Sequence, residues 1–256
     1  TLNYDGVSID ISNNNTLTIT GEGVLDNTNS VDINDGTLDI DGNMEFTGDL
    51  TIDNTSTINI ASNKTLQVSG SNDINVAANS LILDGEGTLD CSGTIIFTTG
   101  LLGISNNIEL DANLNFNGSA TMDISSNKTF NYDGASIDIS NNNTLTLIGD
   151  GTLENENELT INSGTLDVSG NIIMTGAITI NGNSTIGVAN NVTFQNSNSA
   201  NIDVSGNTLT LTGDTGTTDE GTFDSSGNLV FRNNGSLDVD NNIQVESDIG
   251  MDGDMT

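Results

Sequence analysis

The chain has 256 residues, 36 Asp and Glu against only three basic residues (Lys64, Lys128 and Arg232), and a net charge of −33. Nucleic acid and anionic membrane surfaces are poor partners for it, because both need Lys and Arg to neutralise phosphate. Histidine, proline and tryptophan are absent, the single Cys91 precludes an intramolecular disulfide, and no apolar run is long enough for a membrane-spanning helix.

Thr1-Leu2-Asn3-Tyr4 reads as a strand from the outset. Apolar residues then come as pairs separated by one residue: Leu17/Ile19, Val31/Ile33, Leu38/Ile40, Met44/Phe46, Leu50/Ile52, Ile58/Ile60, Leu66/Val68 and Ile74/Val76. That period of two marks strands with one face inside. Between the pairs lie clusters such as Ser12-Asn13-Asn14-Asn15, Asn54-Thr55-Ser56 and Ser140-Asn141-Asn142-Asn143, which tolerate tight turns and left-handed backbone. No segment shows helical periodicity.

The chain also repeats. Asn3–Leu66 and Asn131–Phe194 align without a gap, with 38 identities in 64 positions. The intervening blocks carry the same pattern more weakly, giving blocks 3–66, 67–130, 131–194 and 195–256 within one domain, 1–256. A fixed period means stacked units. Every third strand resembles the next, in a series that starts at Leu17, Leu38, Ile58, Leu81, Leu102, Met122, Leu145, Leu166, Ile186, Leu209 and Leu237. The steps average about 22 residues, a length typical of one solenoid coil. An antiparallel meander gives no reason for such a period. The expected fold is all-β: a three-sided parallel β-helix (β-solenoid) of 11 to 12 coils, three per 64-residue block. At about 4.8 Å per coil the stack should be about 55 Å long.

These strands and Asn/Gly/Asp corners, with the near absence of Lys, Cys and Trp, resemble the β-helical surface proteins of bacteria, namely filamentous-haemagglutinin-like adhesins and autotransporter passengers. The resemblance covers the whole chain and is architectural. It implies the fold and an extracellular or cell-surface location. The nonapeptide calcium-roll repeat is not matched.

Two surface features carry functional expectations. Glu22 with Asp26, Glu86 with Asp90, and Asp150 with Glu154 recur at the same corner, and carboxylates with turn carbonyls are ligands that Ca²⁺ prefers. No cofactor is required, and calcium is the one candidate. The fourth block has Asp214, and an insertion at Thr215–Glu220 moves its partner to Asp224. Ahead of each strand in the series stands Thr16, Thr37, Thr57, Ser80, Leu101, Thr121, Thr144, Thr165, Thr185, Thr208 or Ser236, a column suited to sheet packing or to an ice-binding face. Its second column (Thr18, Asp39, Asn59, Ile82 and onward) is mixed and charged. Cys91 aligns with Asn27 and Asn155 and reads as a turn position.

An enzyme is not expected: there is no histidine base, and Tyr4 and Tyr132 are repeat residues rather than sugar platforms. The leading reading is an extracellular structural or adhesive rod that stacks end to end or continues in a longer chain. A calcium- or glycan-binding module is the first alternative and an ice-binding solenoid the second.

Overall fold

The computed structural model describes all residues except 5, 7, 28, 70–72, 78, 136, 156, 214–219 and 253–256. The chain falls into two compact units, Thr1–Ala135 and Ser136–Thr256. Each is a parallel β-solenoid with three faces, and no helix occurs among the described residues.

In the first unit, face 1 stacks Leu2–Tyr4, Gly23–Asn27, Met44–Phe46 and Thr65–Val68. Face 2 stacks Ile9–Ser12, Val31–Asn34, Leu50–Asp53 and Ile74–Ala77. The threonine face stacks Thr16–Ile19, Thr37–Ile40, Thr55–Ile60, Ser80–Gly85, Gly100–Ile104 and Ala120–Ile124. Two long strands, Thr88–Phe97 and Ile108–Phe116, run from face 1 round the corner into face 2. In the second unit the threonine face stacks Thr144–Gly149, Thr165–Val168, Ser184–Val188, Thr208–Thr212 and Ser236–Asp240. Every strand of the expected series therefore lies on the threonine face of its own unit.

Alternation explains the core. Val31, Ile33, Leu38, Ile40, Leu50, Ile52, Ile58, Ile60, Leu66, Val68, Ile74 and Val76 are all fully buried, while their alternate neighbours face outward. Most inward residues meet another apolar side chain on the next coil, as in the columns Leu17–Leu38–Ile58 and Leu25–Phe46–Val68–Cys91. Stability then sums over neighbouring coils. Aromatic pairs add to it: the Phe97 and Phe116 rings stack at 5.4 Å and those of Phe194 and Phe223 lie 5.8 Å apart. Corners turn on Asn in left-handed backbone, with φ of 58° at Asn63 and 59° at Asn127. Each of these donates its side-chain amide to the preceding Ser Oγ.

Straight columns were expected on the threonine face, and the register differs. Thr16 faces Thr37, and Thr37 faces Thr57. Thr57 then faces Ile82 rather than Ser80, while Ser80 faces Thr55. The second unit repeats this: Thr144, Thr165 and Thr185 run in line, and Thr185 faces Thr210 rather than Thr208. Face 1 reaches the same total through Leu25, Phe46, Val68 and Cys91. Three coils thus carry the column from Thr16 to Ile82, whereas the sequence repeat carries Thr16 to Ser80. On these two faces equivalent residues slide two positions over the first block, about 6.6 Å along the strand, whereas face 2 runs Val31, Leu50, Ile74, Ile95 and returns to the repeat equivalent.

On the threonine face of the first and third blocks the slide adds one inward position, which a buried serine fills. Ser56 and Ser184 face Leu81 and Leu209. Ser56 Oγ lies 3.0 Å from the Ile33 carbonyl and 2.8 Å from that of Asp53, and accepts the Asp35 N–H at 3.1 Å. Ser184 Oγ lies 3.1 Å from the Ile161 carbonyl and 2.9 Å from that of Gly182.

Cys91 is not at a turn. It lies within Thr88–Phe97, points inward opposite Val68, and is 4% exposed. Burial pushes its thiol up to about 11. Tyr132 is fully buried, and its phenol oxygen accepts the Leu114 N–H at 3.2 Å. Burial pushes that phenol up to about 12. Tyr132→Phe leaves the Leu114 donor unpaired in the core. It should cost about 1–3 kcal/mol and lower the melting temperature by roughly 2–4 °C per kcal/mol. Calorimetry checks this, and an unchanged melting temperature contradicts it.

Candidate functional site

The conspicuous polar residues form ladders from coil to coil. The clearest is a relay at the start of face 1. Asn43 donates Nδ2 to Glu22 Oε1 at 3.3 Å, while its Oδ1 accepts the Thr65 N–H at 3.1 Å. The Oδ1 of Asn107 likewise accepts the Thr129 N–H at 2.9 Å. In the second unit Asn171 donates Nδ2 to Asp150 Oδ1 at 3.1 Å and accepts the Thr193 N–H at 2.9 Å. The three asparagines are repeat equivalents, one in each successive block, and so are the three threonines. Each relay satisfies a backbone donor that the short strand leaves outside its ladder.

The expected carboxylate pairs are thereby placed. Glu22 accepts from Asn43 and pairs with Lys64 at 3.6 Å. Asp26 accepts from Thr47 Oγ1 at 3.1 Å. Glu86 lies in a shallow depression with Asn107 and Glu109. Asp90 accepts from Gln67 Nε2 at 3.0 Å. The same device recurs where Gln195 donates to Asp224 at 3.2 Å. Asp150 accepts from both the backbone and the side chain of Asn171. Glu154 is exposed on Thr152–Asn155. Four extended residues span about 13 Å, so Glu22 and Asp26, which flank the outward Val24, serve different neighbours. Among the described residues no three or more His, Cys, Asp or Glu side chains converge to hold a metal ion. Asp214 and most of the insertion lie outside the described residues.

Hydroxyls of the threonine face run straight in sets of three: Thr16–Thr37–Thr57 in the first unit and Thr144–Thr165–Thr185 in the second. The second column turns its groups on each other: Asp39 accepts from Thr18 Oγ1 at 3.2 Å and from Asn59 Nδ2 at 2.7 Å. Asn59 then faces Asp84 instead of Ile82.

Face 1 of the first unit also carries a repeated depression. One copy, of about 220 Å³, is lined by Gly23, Asn43, Met44, Glu45, Thr65 and Gln67. The other, of about 290 Å³, includes in its lining Gly87, Asn107, Ile108, Glu109, Thr129 and Asn131, the equivalents one block later. In the third block Ile173 stands where Glu45 and Glu109 would align, and it is 41% exposed.

The relay, the inward Cys91 and the buried serines were not recognised from the sequence. The signal for the relay was present: Asn precedes the face-1 strand in three successive blocks, and a Thr opens the face-1 strand of the coil that follows. No known protein family, curated protein or solved structure matches the chain.

Not every acid is interleaved with an amide. Asp90 faces Asp111 in register, and Asp133 follows on the next coil, its N–H donating to the Leu110 carbonyl at 2.9 Å. Desolvation first, then the charges of Asp90 and Asp133, hold the Asp111 carboxyl above its usual range. A raised folded-state value means that its favourable contribution is present below the ordinary Asp range and is lost as pH rises through the raised value. Asp111→Asn should therefore melt above the parent at pH 7, and the two should converge below about pH 3. Half-molar salt should narrow the gap at pH 7 by screening Asp90 and Asp133. A variant that melts below the parent at pH 7 contradicts this.

Proposed function

We propose that the chain is a non-catalytic structural segment of a repetitive protein outside the cell, working through stacked length rather than through a localised site. The observation that carries this reading is the relay: the same Asn–Thr pair makes the same coil-to-coil contact in three blocks, with an acid completing it in the first and third. Residues selected for one reaction stand out against their repeat equivalents, whereas these agree with theirs. The composition supports the reading too, since 36 acids on a solenoid oppose side-by-side association and hold cations and water around the surface. The partner is more of the same architecture, either further blocks of a longer chain or a second copy stacked coil on coil. Surface glycans are the partner if the segment also adheres.

Antibodies raised against the purified chain test the location. They should label intact producing cells, and brief protease treatment of those cells should remove the label. Labelling that appears only after the cells are permeabilised contradicts the proposal.

A further inference from the structure

The second unit buries three polar side chains at the ends of three strands of one sheet, Thr152–Asn155, Thr193–Asn196 and Gly221–Ser225. Asn155, Asn196 and Ser225 are 2%, 0% and 6% exposed. Asn155 Oδ1 accepts the Asn157 N–H at 3.2 Å, and Asn196 Oδ1 accepts the Asn198 N–H at 3.1 Å. The Nδ2 of each asparagine, and Ser225 Oγ, have no hydrogen-bond partner within the protein. Buried donors and hydroxyls are seldom left so.

Asn196 and Ser225 differ from Asn155 in facing each other. They are register partners on Thr193–Asn196 and Gly221–Ser225, both directed inward. The two groups make no hydrogen bond with each other, unlike the facing pair Gln195 and Asp224 on the same two strands, and with strands about 4.8 Å apart both can reach one oxygen held between them. The inward column runs Leu153, Met174, Asn196, Ser225, so the side chain is shortest where the space is needed. The Phe194 and Phe223 rings stand two residues back along the same two strands. Asn155 has no such neighbour: its amide packs on Gly176, where a Cβ would lie 2.9 Å from Nδ2.

We propose that one ordered water occupies this corner, accepting a hydrogen bond from Asn196 Nδ2 and sharing another with Ser225 Oγ. The chemistry selects water. Both groups are buried, no charged side chain is among the buried polar residues, an amide N–H repels cations, and the ligand must be small and able both to donate and to accept. A bridging water needs two or more polar partners, and the two side chains supply them.

A crystal structure of the full chain at better than about 1.5 Å resolution tests the site directly. The expected result is one well-ordered water within hydrogen-bond distance of both atoms. A direct Asn196–Ser225 hydrogen bond, or a dry corner, overturns the proposal. Thermal melts of Asn196→Leu, Ser225→Ala and the double variant give an independent reading. Each single variant strands the other group and should melt a few degrees lower, whereas the double variant should melt no lower than the worse single, because removing both partners removes the need for the water. Additive losses overturn the shared site.

Discussion

Parallel stacking of one coil on the next is the constraint on which everything else depends. Each residue has a fixed neighbour about 4.8 Å above and another below, and that neighbour's identity is set by register. Inside, the rule is met mostly by putting Ile, Leu, Val and Phe on other apolar side chains. Outside, it is harder to meet, because 36 acids must be spread over the outward positions of short strands with only three basic residues to offset them. Like charges in register repel.

The chain answers mainly by interleaving. Asp39 sits between Thr18 and Asn59, Asp90 follows Gln67, Asp224 follows Gln195, and Asn43 and Asn171 reach back to Glu22 and Asp150. Asn and Gln suit this task because one amide carries both a donor and an acceptor. Asn43 uses them at once, donating to the coil before and accepting from the coil after. Where the interleaving lapses, at Asp90–Asp111–Asp133, the middle carboxyl resists ionisation. The abundance of Asn thus has two causes, the left-handed corners such as Asn63 and Asn127 and the coil-to-coil relays.

The fold was legible because period-two apolar pairs, Asn-rich corners and the recurrence of every third strand all state the same geometry, and each strand of that series falls on one face of its unit. Register was less legible. The block repeat fixes which residues are equivalent, and corner length fixes which are neighbours, so the long step from Thr57 to Ile82 escapes a count of strand starts. Ser56 and Ser184 look like turn residues in sequence and become core only through that step. Cys91 was obscured differently: its strand continues round a corner where other blocks break, so a turn was expected at a position that is inward and buried. The acidic pairs are visible in the sequence as repeating features. Their hydrogen-bond partners lie a whole coil away in sequence, as Asn43 does from Glu22 and Asn171 from Asp150, and could not be read locally.

The two-residue slide of register on the threonine face, which sets Thr57 against Ile82, is the central structural feature, and cross-linking tests it most directly. In a Cys91→Ser background, Thr57→Cys with Ile82→Cys places two outward thiols on facing residues of adjacent parallel strands, at a separation a disulfide can bridge. Thr57→Cys with Ser80→Cys offsets them by two residues and puts the Cα atoms about 8 Å apart, beyond disulfide reach. Mild oxidation should close the first pair rapidly and leave the second largely reduced. Rapid closure of the second pair with none of the first would show that the columns run straight and that the slide does not exist.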